Sequence, residues 1–154
     1  MDEMPKDHRP ARSLRVLIAE DRVTTRGALG LLLGMEPDIE VVAQVARGDG
    51  IVDAALVARP DVALLDVELP GLDGVEAAAL LRDEVPDCRV AILTTYGRPG
   101  TLRRALAAGA VGFLVKDGPV DDLADAIRRM VLTGETVIDP VLAAAAGEEA
   151  GTAP

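Results

Sequence analysis

The sequence predicts an α/β fold: a three-layer α/β/α sandwich built on a doubly wound, five-stranded parallel sheet of strand order 2-1-3-4-5. Three observations carry that expectation. Apolar runs such as Val62-Ala63-Leu64-Leu65 show no polar alternation, as befits strands whose two faces are both covered by helices. Strand-like and helix-like segments alternate five times at the spacing of βαβ units, and right-handed crossovers wind such units into layers. Four of the five runs also end in a reactive side chain, at the sheet edge where open α/β sheets hold their ligands.

The first strand, Leu14 to Ala19, runs into Glu20-Asp21. A helix follows from about Thr24, with Leu29, Leu32 and Leu33 spaced as an apolar face. Gly34 supplies a stop and Pro37 prevents continuation. Ile39 to Val45 is the second strand, which ends blandly in Gln44-Val45-Ala46. Asp49 to Arg59 forms a weaker helix, closed by Pro60.

The third strand ends on Asp66, and Leu69-Pro70-Gly71-Leu72-Asp73-Gly74 turns the chain back. Asp73 followed three residues later by Glu76 is a capping-box pattern, so Asp73 reads as structural and Asp66 as the functional carboxylate. Taken alone, Asp66 also reads as a turn residue or a helix cap.

Arg89 to Leu93 is the fourth strand and runs into Thr94-Thr95. The fourth helix starts near Pro99, turns Leu102, Ala105 and Leu106 inward, and ends at Gly109. Val111 to Val115 is the fifth strand and leads into Lys116. Pro119 opens the fifth helix, whose stripe is Leu123, Ala126, Ile127 and Met130. Asp121 and Asp122 near its start and Arg128 and Arg129 near its end suit the helix dipole. The expected organisation is a disordered leader over residues 1–13, a domain over 14–134, and a linker or tail over 135–154. The only histidine, His8, lies in the leader, where nothing holds it in place.

Composition narrows the function. A length of 154 residues with 49% hydrophobic content supports one folded domain. No apolar run reaches the ~18 residues of a membrane span. The polar N-terminal segment lacks a signal-peptide core, so the expected location is cytoplasmic, away from the membrane. The formal charge of −10 argues against this chain holding DNA alone. One Tyr, one Phe and no Trp leave little for stacking on bases or a flavin. The single cysteine, Cys88, makes neither an internal disulfide nor a zinc site by itself.

The reactive strand ends are Glu20 and Asp21, Asp66, Thr94, and Lys116. In the expected order, strands one and three meet at the topological switch point and the bland strand two lies at the far edge. Three converging carboxylates repel one another and raise each other's pKa. A Mg²⁺ ion, which takes oxygen ligands, resolves that conflict. Lys116 offers a mobile positive charge for a phosphoryl oxygen or for Asp66, and Thr94 offers a hydroxyl. An aspartate nucleophile, a metal and donors are the parts phosphoryl transfer requires. A dinucleotide site is excluded because Glu20 to Gly27 lacks G-x-G-x-x-G. A haloacid-dehalogenase-type phosphatase needs Asp-x-Asp where this chain has Glu20-Asp21-Arg22.

This ordered set closely resembles the receiver domain of bacterial two-component response regulators. The stretches Leu93-Thr94-Thr95, Ala107-Ala108-Gly109-Ala110-Val111-Gly112-Phe113-Leu114-Val115-Lys116-Asp117 and Gly134-Glu135-Thr136-Val137-Ile138-Asp139-Pro140 are similar to the NarL/FixJ (LuxR-type) subfamily. The likeness spans roughly Leu14 to Leu142 and implies the flavodoxin-like receiver fold. It implies that Asp66 is phosphorylated by the phosphohistidine of a sensor histidine kinase, the domain catalysing its own phosphorylation and dephosphorylation. Mg²⁺ would be bound by Asp21 directly, Glu20 mainly through water, Asp66, and the backbone carbonyl of Glu68. Thr94, Lys116 and the backbone amides of Val67 and Thr95 would hold the phosphoryl group.

Thr94 and Phe113 match the family's switch pair, although Phe113 reads equally well as a core residue. Tyr96 and Glu68 flank the site. Lys116 is followed by Asp117 where many receivers have proline, so a Lys–Pro cis bond is not expected. Phosphorylation is expected to drive homodimerisation. One candidate surface joins helices four and five, with Arg103, Arg104, Arg128 and Arg129 beside Asp121, Asp122 and Asp125; the other joins helices one and five. DNA would be reached only through a helix-turn-helix domain that this chain lacks, making it either an excised receiver, the preferred reading, or a stand-alone one. The alternative is a degenerate receiver that works as an interaction module without phosphorylation.

Overall fold

The computed structural model describes residues 13–95, 98 and 100–145. The expected leader with His8, Tyr96, Pro99 and the end of the tail lie outside them. Strands and helices alternate as β1 (Leu14–Ala19), α1 (Val23–Gly34), β2 (Ile39–Val45), α2 (Ile51–Ala58), β3 (Val62–Asp66), α3 (Gly74–Glu84), β4 (Arg89–Thr94), α4 (Thr101–Ala107), β5 (Gly112–Val115), α5 (Val120–Leu132) and β6 (Val137–Ile138). The strands form one sheet in the order β2-β1-β3-β4-β5-β6, and every neighbouring pair is parallel.

The sheet is covered on both faces because successive side chains of a strand point to opposite sides. Leu17, Ala19, Ala63, Leu65, Ile92 and Phe113 pack on the side of α2, α3 and α4. Val16, Ile18, Val62, Leu64, Leu93 and Leu114 pack on the side of α1 and α5. The stripe Leu123, Ala126, Ile127 and Met130 of α5 is buried as its spacing predicts. Gly112 lets that helix lie close to the sheet: a Cβ there would come within 2.6 Å of both Ala91 Cβ and Met130 Sδ.

Five expectations are corrected. The sheet has six strands, not five: Val137 and Ile138 pair with Gly112 and Phe113. The Val137 amide donates to the Val111 carbonyl at 2.8 Å, and the Asp139 amide to the Phe113 carbonyl at 2.9 Å. Residues 140–145 are helical, and Leu142 is buried in the core on the α2–α4 side. In α1 the inward face is Leu29, Gly30 and Leu33, while Leu32 is exposed, because the Gln44 side chain packs against the bare backbone of Gly30.

In α4 the buried residues are Thr101 and Ala105, and Leu106 is exposed. The helix begins at Thr101, past the predicted Pro99. The second helix is shorter than predicted: Gly48–Gly50 is a single 3₁₀ turn, and Arg59 leaves the helix in a left-handed conformation (φ 52°) ahead of Pro60.

Candidate functional site

The C-terminal ends of β1, β3, β4 and β5 bring Glu20, Asp21, Asp66, Thr94 and Lys116 to one edge of the sheet. Asp66 is the last residue of β3 and is buried. Its position depends on the turn that follows. Gly71 takes a positive φ of 85°, and Gly74 starts α3 so close to the strand that a Cβ would lie 2.1 Å from the Asp66 carbonyl oxygen. The Gly74 amide donates to the Val67 carbonyl at 2.8 Å, locking this approach. The capping box is present as read: Glu76 donates its amide to Asp73 Oδ1 at 2.8 Å, and Asp73 donates its own to Glu76 Oε1 at 3.1 Å. Asp73 is thus a structural cap.

Lys116 binds two acids at once. Its Nζ donates to Glu20 Oε1 at 3.0 Å and to Asp66 Oδ2 at 3.2 Å. The other Glu20 oxygen accepts the Arg22 amide at 2.8 Å, so the Glu20 carboxylate, 1% exposed, is held from both sides. These contacts set the electrostatics. Burial pushes the Asp66 carboxyl above the usual range and the Glu20 charge adds to this, while Lys116 opposes them. Burial is also the largest single influence on Glu20, but the Arg22 amide and Lys116 together outweigh it and hold that carboxyl below its ordinary value. For Lys116, burial disfavours the ammonium, yet its bonds to Glu20 and Asp66 prevail and raise its pKa.

One carboxylate oxygen from each of Glu20, Asp21 and Asp66 lies within 4.8 Å of the others. The donors are all hard oxygens, and three carboxylates face one ammonium, which leaves the cluster short of positive charge. That donor set fits a divalent cation of the Mg²⁺ type, with exposed Asp21 open to solvent and to a hydrated ion.

A cavity of about 450 Å³ opens above Asp66, lined among others by Asp21, Thr94, Thr95, Thr101 and Lys116. Val67 and Glu68 also line it. The Val67 amide lies 3.4 Å from the Leu93 carbonyl, a long contact that continues the ladder past Asp66. The Glu68 carboxylate forms an ion pair with Arg98, closing the β3–α3 loop toward the segment after β4. Phe113 is 1% exposed in the core beneath α4, so its core reading describes this state.

Besides Arg22, whose amide holds Glu20, two residues after β4 were missed from sequence. Arg98 and Thr101 both line the cavity, and neither stands at the end of an apolar run, which was the signal used for the others. Three of the four arginines on the expected charged face of α4 and α5 are paired within the chain. Arg104 pairs with Asp73, Arg128 with Glu36 and Asp38, and Arg129 with Glu135.

A doubly wound parallel sheet whose C-terminal edge gathers an acidic cluster around one lysine is a flavodoxin-like domain. Residues 16–128 match the response regulator receiver domain family. The transcriptional regulatory protein DesR of Bacillus subtilis is 44% identical over 129 residues, covering 84% of this chain and 63% of that protein. YvfU of the same organism, an uncharacterized transcriptional regulatory protein, is 45% identical over 129 residues, covering 84% of this chain and 64% of that protein. The chain therefore spans less than two thirds of either relative. A crystal structure of a LuxR-family two-component response regulator from Aurantimonas superposes with a TM-score of 0.81 at 26% identity, covering 90% of this chain and 99% of that one. The chain belongs to the response regulator receiver domain family, as the receiver of a two-component response regulator close to NarL/LuxR-type transcriptional regulators.

Proposed function

We propose that Asp66 accepts a phosphoryl group from the phosphohistidine of a sensor histidine kinase, and that the resulting phosphoaspartate switches the output of a transcriptional regulator. The observation that carries this is the placing of Asp66: a buried strand-end carboxylate bonded to Lys116, inside a cluster of acids and under an open cavity. A carboxylate oxygen of Asp66 attacks phosphorus and the phosphorus–nitrogen bond to the kinase histidine breaks. Lys116, already bonded to Asp66, is at hand for a phosphoryl oxygen, and Thr94 and Thr95 line the same cavity. Asp21, Asp66 and the Glu68 carbonyl would hold Mg²⁺, with Glu20 acting through water. The metal supplies charge neutralisation as the anion approaches. The Val67 amide joins the phosphoryl ligands by giving up its long contact to Leu93.

Thr94 and Phe113 then form the switch: drawing Thr94 toward the phosphoryl group opens space above Phe113. The output is homodimerisation. Helix α5 takes part, and its partner element is α1. This helix exposes Val23, Leu31 and Met35, whereas the arginines Arg104, Arg128 and Arg129 are already paired internally. No helix among the described residues is long and apolar enough to cross a membrane, which fits a cytoplasmic protein that reaches DNA through a separate helix-turn-helix domain.

The test is labelling with acetyl phosphate. The chain is expected to acquire one base- and hydroxylamine-labile phosphoryl group in Mg²⁺, and none in EDTA or in Asp66→Asn. Undiminished labelling of that variant would refute the assignment.

A further inference from the structure

Thr101 is a polar side chain that the fold has buried without using. It is the first residue of α4 and only 5% exposed. Its amide donates to the Arg98 carbonyl at 3.1 Å, but its hydroxyl makes no hydrogen bond among the described residues. A buried hydroxyl left without a partner is costly and demands a reason. The reason is not packing, since the valine isostere would fill the same space with no polar atom to desolvate.

Its placement supplies one. The cavity above Asp66 adjoins a second, more open cavity of about 420 Å³ bounded by Leu69, Pro70, Asp73 and Arg104. Thr101 lines both cavities, whereas Asp66, Thr94 and Lys116 line only the inner one. With Asp21, Val67, Glu68 and Arg98 it forms the boundary that the two cavities share. The inner cavity, about 450 Å³, exceeds many times over the ~30 Å³ share of one water, so ordered water fits there beside a phosphoryl group. The Glu68–Arg98 pair lines the same junction and offers a water further polar partners.

We propose that Thr101 is a positioning residue for loss of the phosphoryl group, its hydroxyl holding the water that attacks phosphorus and thereby setting the lifetime of the signal. This rests on the reading of Asp66 as the phosphoryl acceptor. In the step, the water oxygen forms a bond to phosphorus while the phosphorus–oxygen bond to Asp66 breaks. The bonding electron pair returns to the carboxylate and both water protons leave on the released dihydrogen phosphate. Thr101 is neither acid nor base here; it orients the water. Losing one such hydrogen bond slows the reaction by about three- to tenfold.

The experiment labels the whole chain with ³²P-acetyl phosphate in Mg²⁺, removes the donor and follows loss of label, for the unaltered chain, Thr101→Val and Thr101→Ser. Beryllofluoride titration in Mg²⁺ reports the phosphoryl-binding half of the site. The expected result is slower loss in Thr101→Val by that factor, a rate within about twofold of the unaltered chain in Thr101→Ser, and unchanged beryllofluoride affinity in both. Loss at the unaltered rate in Thr101→Val overturns the proposal. So does weakened beryllofluoride binding in Thr101→Val, which would make Thr101 a ligand of the phosphoryl group itself. Equal slowing in both variants would assign it a purely structural role and equally overturn the proposal. Failure of the unaltered chain to label at all would instead sink the acceptor role of Asp66, and this inference with it.

Discussion

Replacing Lys116 with methionine should destabilise the metal-free domain strongly, and divalent metal should then rescue it. In the native chain one ammonium, 13% exposed at its side chain, lies 3.0 Å from Glu20 Oε1 and 3.2 Å from Asp66 Oδ2. At an effective dielectric of about 20, each contact is worth roughly 5 kcal/mol of attraction before desolvation is counted. Removing the cation leaves two buried acids facing each other, a defect that typically costs about 3–5 kcal/mol. The lower end applies here, because the cavity admits water and one acid can relax by taking a proton. A loss of ~3 kcal/mol lowers the melting temperature of a domain this size by roughly 6–12 °C.

The pH dependence checks the cause. Without Lys116 the Asp66 carboxyl, already raised by burial and by the Glu20 charge, loses the cation that opposes that shift, so the folded variant binds more protons than the native chain and gains stability as pH falls toward 5. In the native chain the Glu20 pKa is depressed, so that contribution stays in place over this range and is lost only on further acidification, as pH falls through the folded value. The two stability curves should converge on acidification. Mg²⁺ takes over the missing positive charge: at a concentration about 100 times its dissociation constant it adds ~2.7 kcal/mol, and it should bind the variant more tightly than the native chain. Urea titrations at two pH values, with and without Mg²⁺, measure all three effects. A variant that loses less than about 1 kcal/mol in EDTA, or whose deficit grows toward pH 5, would refute the electrostatic account of the site.

Two further outcomes follow from the packing and from the surface of α1 and α5. Gly112→Ala must place a methyl group 2.6 Å from Ala91 Cβ, a neighbour that cannot rotate away, and 2.6 Å from Met130 Sδ; overpacking of this kind costs about 1–3 kcal/mol, and an unchanged urea midpoint would show that α5 can lift off the sheet freely. Sedimentation velocity in Mg²⁺ is expected to show a monomer converting to a dimer on addition of beryllofluoride, and Leu31→Glu on exposed α1 should block the conversion; a monomer in both states at ~100 μM, where a weak dimer would appear, would sink the dimer proposal.

The parts of the fold that were legible are those where local chemistry and tertiary position agree. Strands β1 and β2 have the limits read from their apolar runs because turn-forming and polar residues bracket them. Asp73 was separable from Asp66 because the capping box is a local, four-residue pattern. Where a partner distant in sequence decides, the reading failed. Strand β6 is two residues long and exists because the β5 edge offers it a ladder, so periodicity had nothing to detect. Leu32 and Leu106 were turned inward on the i, i+3, i+4 spacing of an apolar helix face. The seams that formed use smaller residues, Gly30 against Gln44 in α1 and Thr101 with Ala105 in α4, which bring backbone close to the sheet. A buried threonine leaves no mark in the sequence, because its shape satisfies the core and only its hydroxyl does not.

The same limit applies inside the site, and there it bears on mechanism. Apolar runs ending in polar residues were enough to bring Lys116 and three acids to one edge, but not to say how a single ammonium is divided among them. In the structure Lys116 is shared, and its bond to Glu20 is the shorter and more buried of the two. Glu20 is in turn fixed by the Arg22 amide, which with Lys116 holds its carboxyl below the ordinary value. When the Asp66 oxygen becomes part of an acyl phosphate its negative charge moves outward onto the phosphoryl oxygens, while Glu20 is unchanged. Lys116 can then keep its bond to Glu20 as a pivot and swing only its second donor from Asp66 to the incoming anion. Glu20 would on this account matter twice, through water to the metal and directly to Lys116. Its replacement by glutamine would weaken the hold on Lys116 even where metal binding is restored by excess Mg²⁺.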